Sequence, residues 1–509
     1  MHWYVYAIVI LAYMLVLMGY NIRRSYKVRS QEDFMVAGRS LSLTVMVFTL
    51  VCTWIGSGTF IAGAEYAYYA GWSSLWLPAG AWVGIAIIYF LAAKIRTFGQ
   101  YTIGDILEVR YGRFARLFAA IAIIIAFTTI VSYQFRAGGY ILNVVTDGRV
   151  SVAQGQMLAA AFVILFTALG GMMAVAYTDL PNGIIILAAC CIAVPFVVLF
   201  AGGWSHAATA LPPSHFQWFS DDFGRYPVLK ALGYCLSTLL LLLGIQSMYQ
   251  KFYSARSARE AKKAVAIWIV GTIVVETVVV IIAIYASSYQ RAQGLPWDPR
   301  SMVLQAARWM SPWPVGMLLL GAACAVVLST GMNYLLSPST NVIRDIYQRF
   351  INPGAAEKRV VAIQKVVVVV IGLCAFLMIF IPTYLNSNIS ILKYSYFAYT
   401  MYGVSITPAL LAALAWKRAT RPAGIASILT GAGMTLFFEF LFPLLFPQWM
   451  LASTTATSAA RDVWRADPWG IPTVFLGFAA SSLVLVAVSY LTPPPRREDL
   501  EKLFPTAAA

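Results

Sequence analysis

Charge is what this sequence has least of: Asp, Glu, Lys and Arg supply 11% of 509 residues, against 60% hydrophobic. A soluble protein of this length needs far more charge to cover its surface, so the soluble classes are excluded. Histidine is scarcer still. His2, His206 and His215 are the three in the chain, none sits in a His-Glu-x-x-His motif, and a membrane metalloenzyme of that type is not expected. Gly-x-x-x-x-Gly-Lys-Ser/Thr is missing too, so this chain has no phosphate-binding loop with which to pump at the expense of ATP. The six cysteines (Cys52, Cys190, Cys191, Cys235, Cys324, Cys374) lie inside apolar runs. They imply no disulfide framework and read as small packing residues. No polar loop is long enough for a separate enzyme domain.

Long apolar runs are what the chain does have. A helix needs about 20 largely apolar residues to cross a hydrocarbon core about 30 Å thick, and thirteen stretches qualify. Their approximate limits are 4–20, 44–66, 73–95, 115–143, 154–174, 181–202, 232–250, 264–286, 314–340, 362–382, 391–416, 423–446 and 470–491. Residues 1–20 lack a basic n-region, so the first run reads as a retained span, not a cleaved signal peptide. The net charge of +16 would suit nucleic acid, but its placement argues otherwise. With the N-terminus outside, the loops on the inner side hold 26 of the 36 Lys and Arg. These include Arg23, Arg24, Lys27, Arg29 and Arg39; Arg110, Arg113 and Arg116; Lys251 to Lys263; Arg344 and Arg349; and Arg497 and Lys502 of the tail. The other side receives 8. That asymmetry is the positive-inside rule, and it predicts a multi-pass inner (plasma) membrane protein with its N-terminus outside and its tail, 492–509, in the cytoplasm.

Two spans are interrupted by small and polar residues: 50–65 in the second and 242–251 in the seventh. Such paired interruptions predict broken helices around a site near the membrane midplane, where unwound backbone faces a cavity. Taken singly, each would read as Gly and Ser easing helix packing. Adjacent hydroxyls, Ser329 and Thr330, lie in the ninth span. They either back-bond to their own helix or supply oxygens to a hard monovalent cation.

Several stretches carry a resemblance. They are Tyr101-Thr102-Ile103-Gly104-Asp105, Gly170-Gly171 through Asp179, Gln250-Lys251 through Ala261, Leu328-Ser329-Thr330 with Arg344-Asp345-Ile346-Tyr347, and Trp416-Lys417-Arg418. In this order they resemble the sodium/solute symporter family over most of the chain. The resemblance implies an all-α membrane protein with the LeuT-type fold of two inverted five-helix repeats. The first repeat would run about 43–202 and the second about 231–416, with an extra first helix (1–30) and two accessory helices (422–491). It implies sodium-coupled import of a small organic solute, with no enzymatic activity. Sodium, the solute and the bilayer are the partners; no nucleic acid and no obligatory protein partner is evident. One sodium would take the carbonyls of Cys52, Ile55 and Val326 and the hydroxyls of Ser329 and Thr330. Some members bind a second ion with the acid at Asp179 and hydroxyls beyond the Ser-Thr pair. Here Gly331, Met332 and Asn333 follow, which argues against it, and Asp179 equally suits the start of a helix. At Trp54 sugar carriers of the family place an amide and proline carriers an acid; the indole departs from both.

Arg136 lies deep in the fourth span, where an unpaired cation costs roughly 3 kcal/mol or more. It pairs with Glu276 of the eighth span, holds a substrate carboxylate with its planar fork, or snorkels toward the outer face. In the second case Gln134, Trp54, Thr59 and Gln246 would complete the pocket. A proton-driven carrier of the same fold is the alternative. It ranks second because relays use buried His or chained acids, and the three His fall on the outer side.

Overall fold

The computed structural model describes residues 2–26, 30–98, 101–223, 225–385, 390–451, 466–496 and 500. Lys27, Arg29, Arg497, Lys502 and most of the tail lie outside the described residues. Among the described residues, eleven helical runs are long and apolar enough to cross a bilayer. One of them, Val152–Phe200, has 49 residues, about 74 Å if straight and more than twice the hydrocarbon thickness. It changes direction at Gly171, where φ is 56° and ψ is −165°, a conformation that a residue without Cβ adopts readily. The fifth and sixth spans are thus limbs joined at one glycine. The connecting segment foreseen between 174 and 181 is absent, because Pro181 is accommodated inside the second limb. Dividing the Gly58–Phe98 run at 71–75, and joining its first part to the shorter Leu43–Trp54, gives thirteen passes among the described residues.

Burial sorts these passes into two shells. In the ninth span (Trp313–Asn341) and the eleventh (Ile391–Ala415), 78% and 89% of the most apolar window is inside the protein. For the first, tenth, twelfth and thirteenth the share is 22–28%, and Leu11, Leu373 and Leu483 stand exposed, as suits helices facing lipid. The broken helices belong to the inner shell. The second span stops at Ile55 (φ −71°, ψ 102°) and the seventh at Ile245 (φ −70°, ψ 116°), near-identical extended residues in the two halves.

One end of the bundle is basic, and two of the motifs meet there. Thr102 caps the short helix Ile103–Tyr111, and its hydroxyl donates to Asp345 at 2.8 Å. Arg116 reaches Asp345 at 2.6 Å, Asp105 at 2.8 Å and Glu108 at 2.6 Å. Arg116 and Arg110, expected in a loop, are buried. Arg344, 3.8 Å from Asp105, and Arg349, paired with Glu108, bring further cations to the three carboxylates, so the network offsets the desolvation of its members.

At the opposite end, Gly71 (φ 55°) lets residues 213–216 lie against the second span. A Cβ there would come within 2.3 Å of the His215 carbonyl. His215 Nε2 donates to Tyr68 O at 2.8 Å, and Nδ1 is buried without a partner. Burial pushes this imidazole down to about 4 from 6.5. The unfolded chain therefore takes up a proton that the seated loop refuses. The seat is fully stable above pH 6.5 and loosens as pH falls toward 4. Limited proteolysis between 203 and 223 should be faster at pH 5 than at pH 7.5. His215→Gln, which keeps a donor for Tyr68 but does not titrate, should remove that difference.

Candidate functional site

Termination of the second span at Ile55 leaves carbonyl oxygens of its last turn without helical partners, and the ninth span faces them. Thr330 Oγ1 lies 2.9 Å from both Cys52 O and Ile55 O, and Ser329 Oγ lies 3.4 Å from Cys52 O. Val326 is one turn earlier on the ninth span and fully buried. The approach is close enough that a Cβ on Gly56 would meet Thr330 Cγ2 at 2.8 Å. Two carbonyls and two hydroxyls therefore converge, without a carboxylate among them, on a spot where hydroxyl protons now bridge the oxygens. Neutral oxygens at this spacing suit a hard monovalent cation.

Asp179 adjoins this spot and does not cap a helix start. It is fully buried in the second limb of the Val152–Phe200 run. It accepts from Thr49 Oγ1 at 2.5 Å, from Asn333 Nδ2 at 3.1 Å and from Ser329 Oγ. Thr49 and Asn333 escaped the sequence reading as bonded partners. So did Lys251, which was counted among loop cations. It is fully buried in the second half of the seventh span, where its ammonium donates to Asn333 Oδ1 and lies 3.1 Å from Met172 Sδ. The signal available for it was its setting between Tyr249 and Phe252-Tyr253, aromatic neighbours unlike those of a solvated loop.

Next to these oxygens is a narrow cleft lined by Trp54, Gly58, Thr59, Leu77, Thr238, Glu276 and Tyr399, among others. Trp54 Nε1 donates to Glu276 Oε1 at 2.9 Å, and Trp82 Nε1 donates to Oε2 at 2.7 Å. The Arg136–Glu276 pair does not form. Two indoles occupy the carboxylate, and Glu276 has no ion pair among the described residues. Arg136 instead lies over the Tyr140 ring, 5.1 Å from its centroid, with Nε buried and unpartnered. Its place follows from helical spacing. Tyr133 stands behind the cleft lining, its hydroxyl 3.5 Å from that of Tyr399, and Arg136 is on the same face, about 4.5 Å further along the axis.

The other two expected lining residues do different work. Gln134 Oε1 accepts from Ser57 N at 3.1 Å and so braces the break. Gln246 leaves the cleft. Its carbonyl accepts from Ile103 N at 3.1 Å and its amide donates to Asn341 at 2.8 Å. The extended Ile245 turns this first residue of the seventh span's second half toward the basic end.

A model of the sodium:solute symporter family matches residues 34–431. The chain belongs to this family. It is a membrane transporter, not an enzyme. Among its relatives, the high-affinity proline transporter PutP of Bacillus subtilis is 26% identical over 501 residues, covering 94% of this chain and 96% of the relative. The human high affinity choline transporter 1 is 26% identical over 437 residues, covering 82% and 73%. A Na+-coupled sialic acid symporter in a substrate-bound outward-open state superposes with a TM-score of 0.78 at 16% identity, over 97% of this chain and 99% of that one. MhsT in complex with L-phenylalanine gives 0.54 at 14% identity, over 89% and 98%. The fold is LeuT-type.

Proposed function

We propose that this symporter imports a small organic solute bearing a cationic nitrogen, driven by sodium bound between Cys52, Ile55, Val326, Ser329 and Thr330. The observation that carries the solute class is Glu276, a buried carboxylate on the cleft wall with no cationic side chain paired to it among the described residues. A charge so placed in a membrane protein calls for a counter-ion, and the cleft is where a solute would bring one. The aromatic rings of Trp54 and Tyr399 on the same wall suit a cation as well. Relatives that carry choline and proline, both with a positively charged nitrogen, are in keeping with this.

Arg136 supports a second feature of the solute. It makes no hydrogen bond or ion pair among the described residues and lies one turn beyond the cleft wall, so a carboxylate on the same molecule would find a fork-shaped partner there. On this reading the two repeats, about 43–202 and 231–416, rock around the site in alternating access, with the N-terminus outside and the basic end cytoplasmic. Uptake by proteoliposomes, with and without an inward sodium gradient, tests it against three solute sets: quaternary ammonium alcohols, betaine-like or amino-acid zwitterions, and simple carboxylates. Zwitterions should be taken up best, cations should compete and carboxylates should not. Sodium-independent uptake, or preference for anions, would overturn the reading.

A further inference from the structure

The Lys251–Asn333–Asp179 cluster lies beside the sodium oxygens and meets them at Ser329. Lys251 and Asp179 are both fully buried. Asn333 joins them: its Oδ1 accepts from the Lys251 ammonium, while its Nδ2 donates to Asp179 Oδ2 at 3.1 Å and to Ser329 O at 2.9 Å. Asp179 also takes hydroxyl protons from Thr49 and Ser329. An acid and an amine thus share one buried site, bridged by a single amide.

We infer that Lys251 is a tethered cation that stands in for a second coupling ion at Asp179, so that one sodium ion accompanies each solute. This rests on the sodium-coupled reading above. The physical grounds are charge balance and geometry. An isolated carboxylate in the bilayer interior must be neutralised, and an ammonium is a compact monovalent cation on a flexible stem. With Lys251 in place the pocket is neutral, and a dissolved cation added at Asp179 would leave one positive charge in surplus. Thr49 and Ser329 already set hydroxyl oxygens beside the carboxylate, and the Asn333 amide oxygen faces the ammonium, so removing the ammonium would leave an acid with neighbouring oxygen ligands and no counter-charge. The ammonium is carried on the half-helix that begins after the Ile245 break. It cannot dissociate, so it adds no second ion gradient to the driving force.

The test is radioactive sodium binding to the purified protein, with Lys251→Met as the variant. Wild type should bind one sodium per chain with a Hill coefficient near one. Lys251→Met should bind two, with a coefficient approaching two, and Lys251→Met combined with Asp179→Asn should return to one. A folded Lys251→Met protein that binds one sodium with unchanged affinity overturns the inference, as does a wild type that already binds two. A wild type that binds none overturns the sodium-coupled reading itself, before any variant is made. Where Lys251→Met is too unstable to titrate, its melting temperature is compared in sodium chloride and N-methylglucamine chloride. Sodium-selective stabilisation larger than that of wild type supports the substitution of ion for ammonium, and equal melting in the two salts refutes it.

Discussion

Thr330→Ala should raise the sodium concentration needed for half-maximal uptake at least tenfold, whereas Thr330→Ser should stay within a few-fold of wild type. Thr330 Oγ1 sits 2.9 Å from two carbonyls of the broken second span. The alanine variant deletes the one side-chain oxygen that touches both. A hydrogen-bonding or ligating oxygen facing a charge contributes about 1.5–3 kcal/mol, which is roughly 10- to 150-fold in an equilibrium constant at 1.4 kcal/mol per decade. No carboxylate stands among the four converging oxygens to compensate. Ser329→Ala should weaken sodium activation as well, but with a larger loss of stability, because Ser329 also satisfies Asp179. Sodium titrations of uptake, paired with melting temperatures in detergent, separate the two. Unchanged sodium dependence in a folded Thr330→Ala protein would remove the ion from this spot.

How far the sequence disclosed this arrangement depends on what kind of signal each part leaves. Breaks at Ile55 and Ile245 were legible because unwound backbone in a membrane demands small and polar neighbours, and Gly56-Ser57-Gly58 and Gly244 with Gln246-Ser247 supply them. Convergence of Ser329 and Thr330 on Cys52 and Ile55 came only through the family resemblance, since spacing along one helix says nothing of which helix faces it. Lys251 was misplaced because hydropathy reads a cation near a span's end as loop, while the protein pairs it through Asn333 with an acid 72 positions away in the chain. Glu276 was legible as deep, with a pair to Arg136 as one of the alternatives, and that pair does not form. A charge-to-charge pairing is the first guess for two buried ions, and two indole N–H groups, from Trp54 and Trp82, took the place of the guanidinium. The turn at Gly171 was hidden because no polar loop marks it.

Glu276→Gln should abolish measurable uptake while leaving sodium binding at the Thr330 site intact. A carboxylate that meets a solute's cation in a desolvated cleft loses about 2–5 kcal/mol when it is replaced by a neutral group, or roughly 30- to 4,000-fold in affinity. The rival account makes Glu276 a structural anchor for the two indoles. Gln matches the shape but turns an N–H₂ group toward one indole donor, so that account also forecasts damage, and uptake alone does not decide between them. Two further variants do. Trp82→Phe removes the 2.7 Å donor but keeps the charge; an anchor role predicts a defect like that of Glu276→Gln, and solute recognition predicts a much smaller one. Glu276→Asp keeps the charge and shortens the reach, so recognition predicts that uptake survives with a raised KM. Competition closes the argument. In wild type a cationic competitor should bind far more tightly than a neutral compound of the same shape, and in Glu276→Gln the two should bind alike. A Glu276→Gln protein that still prefers the cation would show that the positive nitrogen is recognised elsewhere, and the cleft beside Trp54 would then have to be reassigned.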